Sequence, residues 1–142
     1  MPGEKVHLAG AAVLLAYLLP GAVRGDPLLA AVFVPAYLFS TLFLCPDLDA
    51  KKSACLKRWG RLSSFWRAWW RHVGHRGMSH SPVGMMVYVV LATLPPAGVL
   101  TLLGYPPDAR MLGAYVAGIA IPHQLHVLMD SLGDLCRTAV DA

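Results

Sequence analysis

Seven side chains in this sequence have the chemistry of metal ligands: His7, Asp47, Asp49, His75, His80, His126 and Asp130. His126 and Asp130 are four apart, so on a helix they share a face and can grip one ion together. Asp47 and Asp49 follow Pro46, and each can offer an oxygen if the chain there is not helical. His75 and His80 flank Arg76 and Gly77 in the stretch HRGMSHSPVG. Gly77 permits a tight turn, and Ser81-Pro82 reads as an N-cap followed by proline at the first helical position. A mixed His/Asp set suits zinc, and also iron(II) or manganese, better than an all-oxygen calcium or magnesium site. Seven ligands leave room for one or two ions. An open position on such an ion acidifies water, so the chemistry expected is hydrolysis. Asp49 is the candidate general base. Arg76 would stabilise negative charge on phosphate or carboxylate oxygens, although anchoring a lipid phosphate suits it equally. Taken singly, each histidine is as well explained by an ordinary hydrogen bond at an interface.

The elements that must bring these residues together are hydrophobic. Of 142 residues, 56% are apolar and only 14% charged, against roughly 25% charged in soluble domains. The pattern predicts an all-α fold: one integral membrane four-helix bundle with spans over about 8–24, 28–46, 82–104 and 111–130. The Pro95-Pro96 pair should kink the third span. The first segment reads as a retained helix rather than a cleaved signal, since Glu4 offsets Lys5 and no clean cleavage site follows. Eight of the twelve basic residues fall between Lys51 and Arg76, with no acid among them, which predicts a cytoplasmic central loop and both termini on that side. The localisation expected is therefore the inner membrane. In that topology all seven ligands, though scattered over the chain, gather at one membrane level.

The loop over 50–76 is expected to be an amphipathic, basic and Trp-rich helical segment lying in the interface between the second and third spans. Arg58, Trp59, Arg61, Trp66, Arg67, Trp69, Trp70 and Arg71 would contact anionic lipid. Basic and aromatic residues also suit single-stranded nucleic acid, but attachment to four spans makes lipid the better partner, and no nucleic acid is expected. Cys45, Cys55 and Cys136 lack metal or disulfide spacing and read as reduced thiols.

The motifs PDLD (Pro46 to Asp49), KRWGRLSSFW (Lys57 to Trp66) and HRGMSHS (His75 to Ser81) resemble the metal-binding membrane proteins of unknown function found in bacteria and archaea. The HRG-x-SHS form is also similar to the LexA-binding, inner-membrane-associated proteins, whose assignment as metal-dependent hydrolases is itself a prediction. Both groups carry an early histidine, matched by His7, and a late H-x-x-x-D, matched by His126 and Asp130. The resemblance spans nearly the whole chain and implies phosphoester hydrolysis, with a distant kinship to zinc-dependent phospholipases C. His123 stands outside the shared pattern, so it and Ser79 are expected to support the ligands from behind. The function expected is a metal-dependent hydrolase acting on a phosphoester or lipid-like substrate at the cytoplasmic membrane face. The alternative is a non-catalytic metal-binding scaffold whose basic loop holds lipid or a protein partner. Metal transport fits less well, because the first three spans carry no acidic residue or histidine at mid-depth.

Overall fold

The structure, a computed structural model of the chain, describes residues 3–50, 53–70 and 80–140, with the side chains of Asp49, Trp69 and Trp70 left out. Among the described residues there are six α-helices and no strand. They are α1 (Glu4–Gly25), α2 (Pro27–Phe43), α3 (Ala54–Arg58), α4 (Ser63–Trp70), α5 (Pro82–Leu102) and α6 (Ala109–Val140). Two 3-10 turns, Pro46–Asp49 and Gly60–Leu62, join the short elements. Three helices, α1, α5 and α6, are long and apolar enough to cross a membrane, and α2 is a shorter apolar helix of 17 residues.

One residue separates α1 from α2. Asp26 is extended, and its Oδ1 accepts from the backbone N–H groups of Leu28 and Leu29 at 3.0 and 3.2 Å. With Pro27 at the first helical position, this capped start reverses the chain sharply. Arg110 reaches Asp26 Oδ2 at 2.9 Å and so ties the beginning of α6 to the same turn.

The most extensive helix contact is between α2 and α6. Gly118 makes it possible: a Cβ there would fall 2.7 Å from the Phe33 carbonyl oxygen and 2.7 Å from Ala36 Cβ. The two backbones therefore touch, as small residues allow where helices must pack closely. Gly113, five residues earlier on the same helix, faces open space instead. Ser40 bridges the same contact by donating to the Ile119 carbonyl at 2.8 Å. That bond lies one residue beyond Gly118, whose carbonyl loses its helical partner to Pro122. On the other flank Tyr37, fully buried, donates its hydroxyl to the Ala11 carbonyl at 2.9 Å and fastens α1 to α2.

The double proline does not break α5, which runs unbroken from Pro82 to Leu102. Pro96 removes the N–H that would meet the Ala92 carbonyl, and the Tyr115 hydroxyl of α6 donates to that carbonyl at 3.1 Å.

The basic, Trp-rich segment is more inward-facing than its composition suggests. Trp66 is only 5% exposed and joins a core of Leu44, Leu48, Leu56 and Tyr88. Trp59 donates Nε1–H to the Phe43 carbonyl at 2.7 Å, and Arg58 donates to the Leu42 carbonyl at 3.0 Å. These are last-turn carbonyls of α2, which have no partner within their own helix. A guanidinium there also complements the negative end of the helix dipole. Gly60, at φ +52, turns the chain between α3 and α4, dividing the segment in the left-handed conformation that glycine adopts freely. Arg61, Leu62 and Phe65 remain outward and exposed, whereas Arg71 lies outside the described residues.

Gly118→Ala is expected to lower stability by about 1–3 kcal/mol through overpacking, whereas Gly113→Ala leaves it unchanged or slightly raised. Thermal unfolding of the purified protein measures both. Equal melting temperatures for the two variants would refute the close α2–α6 contact.

Candidate metal centre

Each ligand-type side chain reaches the centre for a local reason. His7 lies in the second turn of α1 and is buried. After α2 ends, the 3-10 turn Pro46–Asp49 is pinned by Pro46 and Leu48, both fully buried, and Asp47 projects between them. His80 precedes Ser81, whose Oγ accepts from Gly84 N–H at 3.2 Å and so starts α5. His126 and Asp130 sit one turn apart on α6, both buried.

Asp47, His80, His126 and Asp130 form a group able to hold a metal ion, with one donor atom from each lying within 4.8 Å of the others. His80 Nε2 stands 3.7 Å from Asp47 Oδ1 and 3.3 Å from Asp130 Oδ2. His126 Nε2 stands 3.4 Å from Asp47 Oδ2 and 3.6 Å from Asp130 Oδ2. Charge-assisted hydrogen bonds between such groups are usually about 2.7–2.9 Å. Four ligands at about 2.0–2.2 Å from a tetrahedral ion would instead be about 3.3–3.6 Å from one another. These four His–carboxylate separations, 3.3–3.7 Å, are nearer the second arrangement. Moreover, His126 Nε2 and both Asp130 oxygens are buried without a hydrogen bond of acceptable geometry among the described residues. Buried polar atoms are rarely left so, and an unplaced ion is one of the standard explanations. The residues present therefore fit a divalent cation.

His7 approaches from the other side. Its Nε2 is 3.1 Å from Asp130 Oδ1, and its ring stacks on His126 with centroids 3.8 Å apart and planes 12° from parallel. Asp130 thus faces His7 with one oxygen and the four-residue group with the other. Burial pushes the Asp47 carboxyl up, but the His126 imidazole, then His80 and His7, outweigh it and hold the group below its ordinary value. His123 is fully buried against Tyr88, with ring centroids 5.0 Å apart, one turn before His126 and outside the group of four. Asp49 contributes its backbone to the 3-10 turn. His75, Arg76 and Ser79 lie outside the described residues.

A pocket of about 80 Å³ opens beside the group, lined by His7, Ser40, Cys45, Asp47, Arg58 and His126 among others. Its presence was not legible in the sequence, because Arg58 and Cys55 reach it through α3, an element whose placement no spacing rule fixes. All three cysteines are free. A hydrogen bond to Cys55, then burial, push the Cys45 thiol well above its ordinary value.

The comparisons with known proteins agree with this chemistry. The family described as uncharacterized metal-binding protein (DUF2227) matches residues 4–105. That range takes in His7, Asp47 and His80, while His126 and Asp130 lie beyond it on α6. A stretch of 46 residues is 44% identical to an uncharacterized protein of Aquifex aeolicus (strain VF5), covering 32% of this chain and 33% of that one. The chain thus matches about a third of that relative's length. No solved structure matches. With most of its length matched and a His/Asp group of metal-binding geometry, this chain belongs to the family of uncharacterized metal-binding proteins.

Proposed function

We propose that this protein is a metal-dependent hydrolase of the inner membrane, acting on a phosphoester or lipid-like substrate at the cytoplasmic face. The observation that carries the reading is the Asp47–His80–His126–Asp130 group, whose donor separations are those of ligands around one ion. Zinc suits two imidazoles and two carboxylates best, and iron(II) or manganese would also be accepted. Asp130 has oxygens facing both sides, so a second ion beside His7, with His75 and Asp49 as further ligands, is compatible with the arrangement. With one ion, His7 orients Asp130 in the manner of an outer partner.

Bound there, a divalent ion supplies Lewis acidity to a scissile phosphoryl or acyl group. Asp49 takes the proton from the attacking water. Arg76 holds the negative oxygens of the substrate, and Ser79 and His123 steady the ligands from behind. The kinship proposed is with the LexA-binding, inner-membrane-associated proteins.

The membrane reading has α1, α2, α5 and α6 as a four-helix bundle spanning the bilayer, with both termini cytoplasmic. Three of these helices are long and apolar enough to span, and α2 at about 26 Å is near the lower limit. Large apolar side chains such as Val13, Met86, Leu94 and Leu102 point outward, as they would into lipid. Exposed Leu62 and Phe65 beside Arg61 and Arg67 supply an interfacial face for anionic lipid, and Trp69, Trp70 and Arg71 follow in the same basic, aromatic stretch of sequence.

A scaffold reading is favoured by one feature. The centre draws on α1, the turn after α2, the start of α5, and α6, so an ion there would pin four elements together. Turnover separates the two, because a structural site is closed while a catalytic one keeps an open position. Chromogenic phosphodiesters and phosphomonoesters should be hydrolysed by the metal-loaded protein and not by His126→Ala. Full metal occupancy with no turnover on either ester class would leave the scaffold.

Metal analysis of detergent-purified protein should give at least one equivalent per chain. His126→Ala and Asp130→Asn should each lower it at least tenfold, and Cys136→Ser should not. Retention in both ligand variants would remove the centre. Because imidazole binds metal only when neutral, acidification should weaken metal binding; an affinity unchanged between about pH 7 and pH 5 would contradict histidine ligation. In intact spheroplasts an impermeant maleimide should label Tyr105→Cys but not the exposed native Cys136. Labelling of Cys136 would refute the topology.

A further inference from the structure

Arg58, although exposed, is oriented by two partners beside the pocket. Its guanidinium forms an ion pair with Glu4 Oε1 at the pocket that His7, Asp47 and His126 line, and both partners are pocket-lining residues. The other arm of the guanidinium donates to the Leu42 carbonyl at 3.0 Å, which fixes the orientation of the fork. The pair stays accessible, with side chains 30% exposed for Arg58 and 44% for Glu4. The Glu4 carboxylate meets the free arm through one oxygen, a charged acceptor of the kind a phosphate also offers. An exposed pair of this kind is weak, so an incoming anion displaces it at little cost. At about 80 Å³, the pocket has room for several waters, each needing roughly 10–15 Å³ by the same measure, or for one oxyanion.

We infer that this pocket is an anion subsite, in which Arg58 binds the phosphate group of a substrate or headgroup and Glu4 holds its place until the ligand arrives. The inference rests on the metal centre proposed above, since Asp47 beside the pocket repels an anion unless a cation offsets its charge. Phosphate and metal should therefore strengthen each other's binding reciprocally.

The test titrates inorganic phosphate into full-length, zinc-loaded protein in phosphatidylcholine nanodiscs, with zinc content measured on every sample. Glu4→Gln should tighten phosphate binding about fivefold, by removing the competitor while keeping the side-chain shape. Arg58→Gln should weaken it about tenfold, and Arg58→Lys should fall between, keeping the charge but losing the fork. Misfolding cannot imitate a gain of affinity in Glu4→Gln, so that variant guards the Arg58 result. Affinities within twofold of wild type for both Glu4→Gln and Arg58→Gln, at full zinc content, would overturn the subsite alone. Wild type devoid of zinc would overturn both the subsite and the metal centre. Nanodiscs with a tenth of the lipid as phosphatidic acid identify the source of the anion. Weakened phosphate binding that Arg58→Gln makes insensitive to phosphatidic acid supports a lipid headgroup; unchanged binding supports a soluble phosphate.

Discussion

Asp130, 5% exposed, stands within 3.6 Å of His7, His80 and His126, with Asp47 across the same imidazoles. Burying a carboxylate without compensation costs several kcal/mol, and a second carboxylate nearby adds repulsion. The imidazoles offset part of this, but the separations from His80 and His126 to the two carboxylates, 3.3–3.7 Å, are long for hydrogen bonds. A divalent ion held by these residues would relieve the repulsion between both acids. The helices consequently arrive at this level from four directions along the chain, and the packing elsewhere serves to hold them there.

Two devices do that. Gly118 lets α6 lie directly on α2, which sets His126 and Asp130 at the height where α2 gives way to the turn bearing Asp47. Arg58 and Trp59 then close the open carbonyls at the end of α2, so the helix stops where the Asp47 turn must begin. The same arginine faces the pocket next to the centre. Capping and ligand recognition are thus served by one side chain, whose two arms point to different partners.

Much of the site was legible before any coordinates. The i, i+4 spacing of His126 and Asp130 fixes their shared face, because helix periodicity is local. Ser81-Pro82 marks the start of α5 for the same reason, and His80 follows from it. Both aspartates of PDLD are offered as ligands only if the chain there is not helical; it forms a 3-10 helix instead, and Asp47 joins the group. What the sequence hid depended on tertiary contacts. Trp66 and Arg58 carry the composition of an interfacial anchor, yet one is buried among Leu48, Leu56 and Tyr88 and the other pairs with Glu4, 54 positions away. Gly118 could not be told from Gly113 by residue type, since only the neighbour across the interface distinguishes them. That α5 continues through its double proline was not legible either, because the hydroxyl that serves the freed Ala92 carbonyl comes from Tyr115 on another helix.

The claim at the centre of this account is that imidazole and carboxylate groups, with no thiolate, surround the ion. X-ray absorption at the metal edge of the purified protein reads that shell directly. The expected spectrum has nitrogen and oxygen scatterers only, with the outer-shell pattern of about two imidazoles, reduced to one in His126→Ala protein reloaded with metal. A sulfur shell at about 2.3 Å, or an imidazole pattern unchanged by that substitution, would contradict it.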